Sequence, residues 1–332
     1  LAGRLSYDVT AKVQGDTFDV SVSSDLAGTA INLPAPLGLS AAQTAPTAIR
    51  IQGSTDGAKP QTWRASVANR LSLSATARLD RSPLFSGVQL ALGSAKPLSG
   101  AGLTVAAQVP SLNLDQWLPV IDSLRSDSSD SPSGQPSSLP ALSAAQIKAS
   151  KVILGANALD DVTANLSVSN GRQYTVKLGS TQTNGEVHWA LDNGKLQDGF
   201  HVRLDRLRIG NRHAAEDGDA AGTDRHTPSA LPEPGQLSDL PALDIEIQDL
   251  SLYGARLGTF RIKGQNTKDK TQWQISRLDI VAPHAELQAT GYCRFDKNPG
   301  LKLVADMRIG DLGALVQYMD QGTEVRKGRG TI

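Results

Sequence analysis

Apolar and polar residues alternate along this chain, segment after segment. Leu301, Leu303, Ala305, Met307 and Ile309 share one phase and Lys302, Asp306 and Arg308 the other; Leu71, Leu73, Ala75, Ala77 and Leu79 alternate in the same way with Ser72, Ser74, Thr76 and Arg78. Successive side chains of a strand point to opposite faces, so each segment is a ribbon with one apolar and one polar side. The alternation predicts further strands over 18–22, 103–109, 162–168, 174–178, 187–191, 202–204, 243–247, 260–262, 273–275 and 287–291. Asn170-Gly171, Asn184-Gly185, Asn193-Gly194 and Asn298-Pro299-Gly300 read as tight reversals between strands, which favours antiparallel neighbours. The apolar phase slips from Ile247 to Leu250 and again from Ile275 to Leu278, the mark of bulges that keep the apolar side on one face. The expected fold class is all-β with a long, mainly antiparallel sheet.

Two segments interrupt the pattern. Residues 125–141 and 211–239, polar and rich in Pro, are expected to be mobile loops, with a domain boundary as the competing reading. Two places read as helical. Leu114, Trp117, Leu118 and Ile121 follow Asn113, and Leu312, Leu315, Val316 and Met319 follow Asp311, each set on one helical face behind a residue suited to capping. Short amphipathic helices are therefore expected at about 113–123 and 311–320. Each comes directly after an alternating strand, as in a large repeat of several strands closed by a helix.

Composition narrows the function classes. Lys+Arg and Asp+Glu both number 33, so no net field recruits nucleic acid. Aromatics are 4% of the chain, which makes the apolar faces largely aliphatic. The histidines at 188, 201, 213, 226 and 284 have no metal-ligand spacing, and no nucleophile elbow or phosphate-binding Gly loop is present. Asp244, Glu246 and Asp249 are most simply a solvated face beside Leu243, Ile245 and Ile247. These residues give no catalytic, metal or cofactor site, and the expectation is a non-enzyme. Trp63, Trp117, Trp189 and Trp273 each fall in phase with apolar neighbours, which favours burial over a carbohydrate platform. Cys293 is the single cysteine and has no partner for an internal disulfide. No run approaches the roughly 20 apolar residues of a transmembrane helix.

The run Leu33-Pro34-Ala35-Pro36-Leu37-Gly38, the segment Leu112-Asn113-Leu114-Asp115-Gln116-Trp117-Leu118, and the stretch Leu257-Gly258-Thr259-Phe260 leading through Trp273 to Ala289-Thr290-Gly291 resemble the AsmA-like, TamB-related family of Gram-negative envelope proteins. The likeness covers essentially the whole chain. Cys293 departs from it, standing where a large aromatic is expected two residues after Gly291, with Tyr292 beside it as a substitute. The resemblance implies a curled sheet forming a repeating β-groove with an apolar concave face, part of a periplasmic body anchored to the inner membrane by an N-terminal helix outside this segment. The strand-like start at Leu1, without a Met, fits an internal fragment.

The function implied is that of a bridge-like lipid transfer protein segment, carrying phospholipid between inner and outer membranes and supporting the outer-membrane barrier. The implied partners are phospholipid acyl chains and, through parts outside the segment, the two membranes; no cofactor is implied. Candidate groove-lining residues are Leu243, Ile245, Ile247, Ile262, Ile275, Leu287, Leu301, Leu303 and Met307. A two-chain lipid exposing ~30 methylenes to water costs on the order of 24 kcal/mol at ~0.8 kcal/mol per CH₂, so a conduit needs an uninterrupted apolar track. About 17 strands at ~4.8 Å spacing would give roughly 80 Å of it. The same residues would also serve as the dry core of a structural or adhesive β-sandwich or solenoid that binds a protein or glycan, and that alternative stands beside the conduit.

Overall fold

The computed structural model describes residues 2–3, 5–57, 59–68, 70–80, 84–129, 139–155, 157–192, 194–210, 240–294, 299–319 and 328–331. The segment 211–239 lies outside them, as do Asn193, Asn298 and residues 130–138. Among the described residues the fold is all-β with two helices, and the chain divides into two compact units, residues 1–171 with 179–181 and residues 172–178 with 182–332.

The first unit holds β1 (Ala2–Gly3), β2 (Asp8–Gln14), β3 (Thr17–Ser24), β4 (Thr29–Ala30), β5 (Thr47–Ser54), β6 (Gln61–Val67), β7 (Leu71–Ala77), β8 (Phe85–Gly93), β9 (Gly102–Asn113), α1 (Leu114–Ser129), β10 (Leu142–Leu154) and β11 (Asn157–Ser169). Strands β2, β3 and β5 to β11 pair in that order into one sheet, antiparallel except for β8 with β9 and β9 with β10. The second unit holds β12 (Gln173–Gly179), β13 (Thr183–Asp192), β14 (Lys195–Ile209), β15 (Leu243–Leu252), β16 (Ala255–Asn266), β17 (Gln272–Ala282), β18 (Ala285–Arg294), β19 (Gly300–Ile309), α2 (Leu312–Tyr318) and β20 (Gly330–Thr331). β12 lies beside β13, where the Leu191 N–H donates to Arg172 O at 2.9 Å. From β13 to β20 the order again follows the chain, antiparallel except for β14 with β15.

The parallel pairs are absent from the sequence expectation, and they give the interrupting segments a role. Antiparallel neighbours are joined by a short reversal, whereas parallel ones need a crossover to the far end of the next strand. Residues 114–141 make that connection from β9 to β10, and residues 210–242 from β14 to β15. Residues 94–101 make the shortest one, from β8 to β9, pinned by the Thr104 hydroxyl donating to Leu98 O at 3.0 Å. Helix α1 starts where Asn113 caps it, its side-chain oxygen accepting from Gln116 N at 3.2 Å. It runs past the expected end to Ser129, so residues 125–129 are helical where a loop was expected; the next strong breaker is Pro132. Trp117 ties the helix to the loop between β4 and β5, donating through Nε1 to Ala35 O at 2.9 Å. Two segments that carry the family resemblance thus meet in space. Asp311 caps α2 by accepting from Ala314 N at 3.0 Å.

The phase slips read from the sequence are register shifts in the sheet, between Ile247 and Leu250 where β15 pairs with β16 and between Ile275 and Leu278 where β17 pairs with β18. Asn170-Gly171 is a turn, both residues at positive φ of 53° and 65°. Asn184-Gly185 is not a turn but lies within β13, where Gly185 sits at φ 147° and the register shifts. A Cβ there would stand 2.2 Å from Arg203 O, so the glycine serves close strand approach at a bulge.

Candidate functional site

Register converts the alternating segments into continuous rungs, because residues paired across neighbouring strands lie on the same face. In the second unit one rung reads Val202, Ile245, Ile262, Leu278, Ala289, Ala305 from β14 to β19. The next reads Leu204, Ile247, Phe260, Ile280, Leu287, Met307, and on the other side comes Phe200, Leu243, Gly264, Ile275, Gly291, Leu303. No polar side chain interrupts these three rungs. All nine residues singled out from the sequence fall on this one face, Leu301 a rung beyond Leu303 on β19. The rungs are completed by Phe200, Val202, Leu204, Phe260, Leu278, Ile280, Ala289 and Ala305, which sequence reasoning did not single out as lining; Leu278 was visible as the residue that restores the phase after the slip. The first unit builds its own face independently, with Val22, Ile49, Ala65, Leu73, Leu90 and Val105 on one rung from β3 to β9.

Burial along the face is graded. Leu204, Ile247 and Leu250 form a buried cluster with Phe260 and Leu257 packed against it, and Ile247 is 4% exposed. On β19, by contrast, Leu303 is 39% and Leu301 62% exposed. Trp273 is buried over Gly264, its indole N–H donating to Pro241 O at 3.1 Å. Cys293 pairs across from Trp273 and Leu301, and burial pushes its thiol up, which keeps it protonated.

The opposite face is ionic. Arg203 bridges Asp244 at 2.8 Å, Arg261 bridges Glu246 at 3.0 Å and Arg277 bridges Asp279 at 2.6 Å. His188, paired directly with His201, holds Glu186 at 3.1 Å and the Thr175 hydroxyl at 3.0 Å. A cleft of about 390 Å³ opens on this side, lined by His201, Asp244, Lys263 and Gln274. Among the described residues no group of three or more His, Cys, Asp or Glu side chains is arranged to hold a metal, and no helix is long and apolar enough to cross a membrane.

The hydrogen bond from Arg261, with Gln248 and further charge attraction, holds the Glu246 carboxyl below the usual carboxylate range, and Lys59 does the same for Asp16, Arg50 for Asp19. A carboxyl whose folded pKa is depressed stabilises the fold above its ordinary pKa and loses that contribution as pH falls through the folded value. The thermal midpoint is therefore expected to fall progressively below about pH 4.5. Glu246→Gln should lower the midpoint at pH 7 and flatten its acid dependence in melts followed by circular dichroism; an unchanged acid slope would show that the ladder contributes nothing.

The family model described as YhdP protein matches residues 1–332. No curated protein and no solved structure matches the chain.

Proposed function

Since the chain belongs to the YhdP family over residues 1–332, an envelope protein family for which lipid transport is a consistent role, we propose that it is a periplasmic segment carrying phospholipid between the inner and outer membranes along its apolar faces, in support of the outer-membrane barrier. The family is not known as one of enzymes, and the segment acts here by solvation rather than by chemistry. The observation that carries this reading is the run of apolar rungs across β14 to β19 that stays open at β19, where Leu301 and Leu303 remain exposed. A dry sandwich would cover those residues. An acyl chain moving along the rungs exchanges one aliphatic contact for the next and never meets the cost of about 0.8 kcal/mol per CH₂ that exposure to water imposes. Medium aliphatic side chains without deep pockets suit a cargo that must slide. The inner-membrane anchor would lie in the longer protein.

A photo-crosslinking residue at Leu303, with Lys302 on the opposite phase of β19 as control, tests the proposal. With the purified chain and phospholipid vesicles, adducts are expected at 303 and not at 302, and native mass spectrometry should recover bound phospholipid. A lipid-free chain that crosslinks at neither position would return the reading to a dry sandwich.

A further inference from the structure

Aromatic residues are scarce, and on the apolar faces they are unevenly placed. In the first unit Phe18 and Trp63 stand on the two rungs nearest the β2–β3 turn, and Phe85 meets Trp63 edge-on, with ring centroids 5.6 Å apart. The opposite end of the same strands carries an aliphatic cluster of Leu26, Leu39 and Ala45, with Val67 packed against it. The second unit, taken by itself, shows a similar polarity. Tyr174 stacks on Trp189 at 5.3 Å and Trp189 meets Phe200 at 5.9 Å near the start of β14, while towards its other end the cluster of Leu204, Ile247 and Leu250 is aliphatic apart from Phe260, a ring without a polar tip, packed against it. The Trp63 Nε1–H is buried and has no hydrogen-bond partner among the described residues. A buried donor without an acceptor forfeits its hydration, so it is a place where an acceptor from outside gains a bond at no further cost in desolvation.

We propose that the aromatic end of each apolar face seats the glycerol-ester end of a two-chain glycerolipid, with its acyl chains laid parallel to the strands, across the aliphatic rungs, and the Trp63 Nε1–H donating to an ester carbonyl. The inference rests on the lipid reading above. Indole and phenol rings join an apolar body to a polar tip, which suits them to the boundary between acyl chain and ester. The strand spans bracket the length of one acyl layer. From Trp63 to Val67 a strand rising ~3.3 Å per residue advances about 13 Å, and from Phe200 to Leu207 about 23 Å. One acyl layer needs about 15 Å, half of a ~30 Å hydrocarbon core.

The test uses the whole chain and two phosphatidylcholine probes, one with a diazirine beside the ester and one with it at the methyl end of a chain. Labelled peptides are mapped by mass spectrometry. The ester-proximal probe should label peptides containing Trp63, Trp189 and Phe200, and the methyl-end probe those containing Val67, Leu71, Leu207 and Leu250. Trp63→Phe keeps the ring and removes the donor. It should weaken diester lipid by about 2- to 10-fold and leave the diether analogue unchanged. Uniform labelling, reversed sorting, unchanged diester affinity, or equal loss of ester and ether lipid overturns the inference and leaves the lipid reading standing. Absence of labelling by either probe overturns both.

Discussion

Leu303→Asp is expected to leave the protein folded and to abolish lipid crosslinking, whereas Ile247→Asp, on the same face and in the same sequence pattern, is expected to unfold it. The two differ in what surrounds them. Ile247 is 4% exposed among Leu204, Leu250 and Phe260, so an aspartate there loses an aliphatic side chain and strands a carboxylate away from water. The first loss alone is worth about 2–5 kcal/mol, and the unpaired charge adds more, enough to exhaust a stability of about 5–15 kcal/mol. Leu303 is 39% exposed, so the carboxylate reaches solvent and the cost to the fold stays near about 1 kcal/mol. The functional cost is larger. A fixed charge on the open rung puts a hydrated group where acyl chains must pass, and passage past it restores much of the barrier that the track removes. Urea melts and crosslinking from a neighbouring position, Leu301, read the two effects separately. A molten Leu303→Asp variant would mean that this rung is a dry core, and the lipid reading would go with it.

That pair also marks the limit of what the sequence discloses. Alternation is a local property, and it located most of the strands, though not β5, β6, β8 or β10, together with their apolar phase and two of the bulges, since a slip such as Ile247 to Leu250 leaves two apolar residues three apart in the chain. Parallel pairing left no trace, because a half-exposed strand alternates in the same way whichever direction its neighbour runs. Rungs depend on register between segments as distant as β14 and β15, which are joined by more than thirty residues, and no local pattern specifies that. Asn184-Gly185 misled because the same dipeptide that opens a hairpin also satisfies a bulge, where Gly185 lets β14 approach. Exposure was invisible as well. Ile247 and Leu303 are equivalent letters in equivalent patterns, and only their place in the sheet, at the middle or on β19, separates buried from open.

Trp273 and Gly264 should behave as a single unit in a double-mutant cycle. Gly264 occupies an apolar rung between Leu243 and Ile275, and the reason it lacks a side chain is spatial: a Cβ there would lie 2.4 Å from Cη2 of Trp273 and 2.7 Å from two further ring carbons. The ring has no room to yield. It is 4% exposed, and its N–H is held by Pro241 O at the end of the crossover that leads into β15. Gly264→Ala is therefore expected to cost about 1–3 kcal/mol by overpacking, and Trp273→Ala about 3–5 kcal/mol by the cavity and the lost contacts. With the indole gone, the added methyl has space and fills part of the hole, so the double variant should be more stable than the sum of the single losses by about 0.5–3 kcal/mol. Urea midpoints of the four proteins measure the coupling. Additive losses would mean that the ring moves freely over the glycine, and that the crossover is not fixed to the apolar face through Trp273.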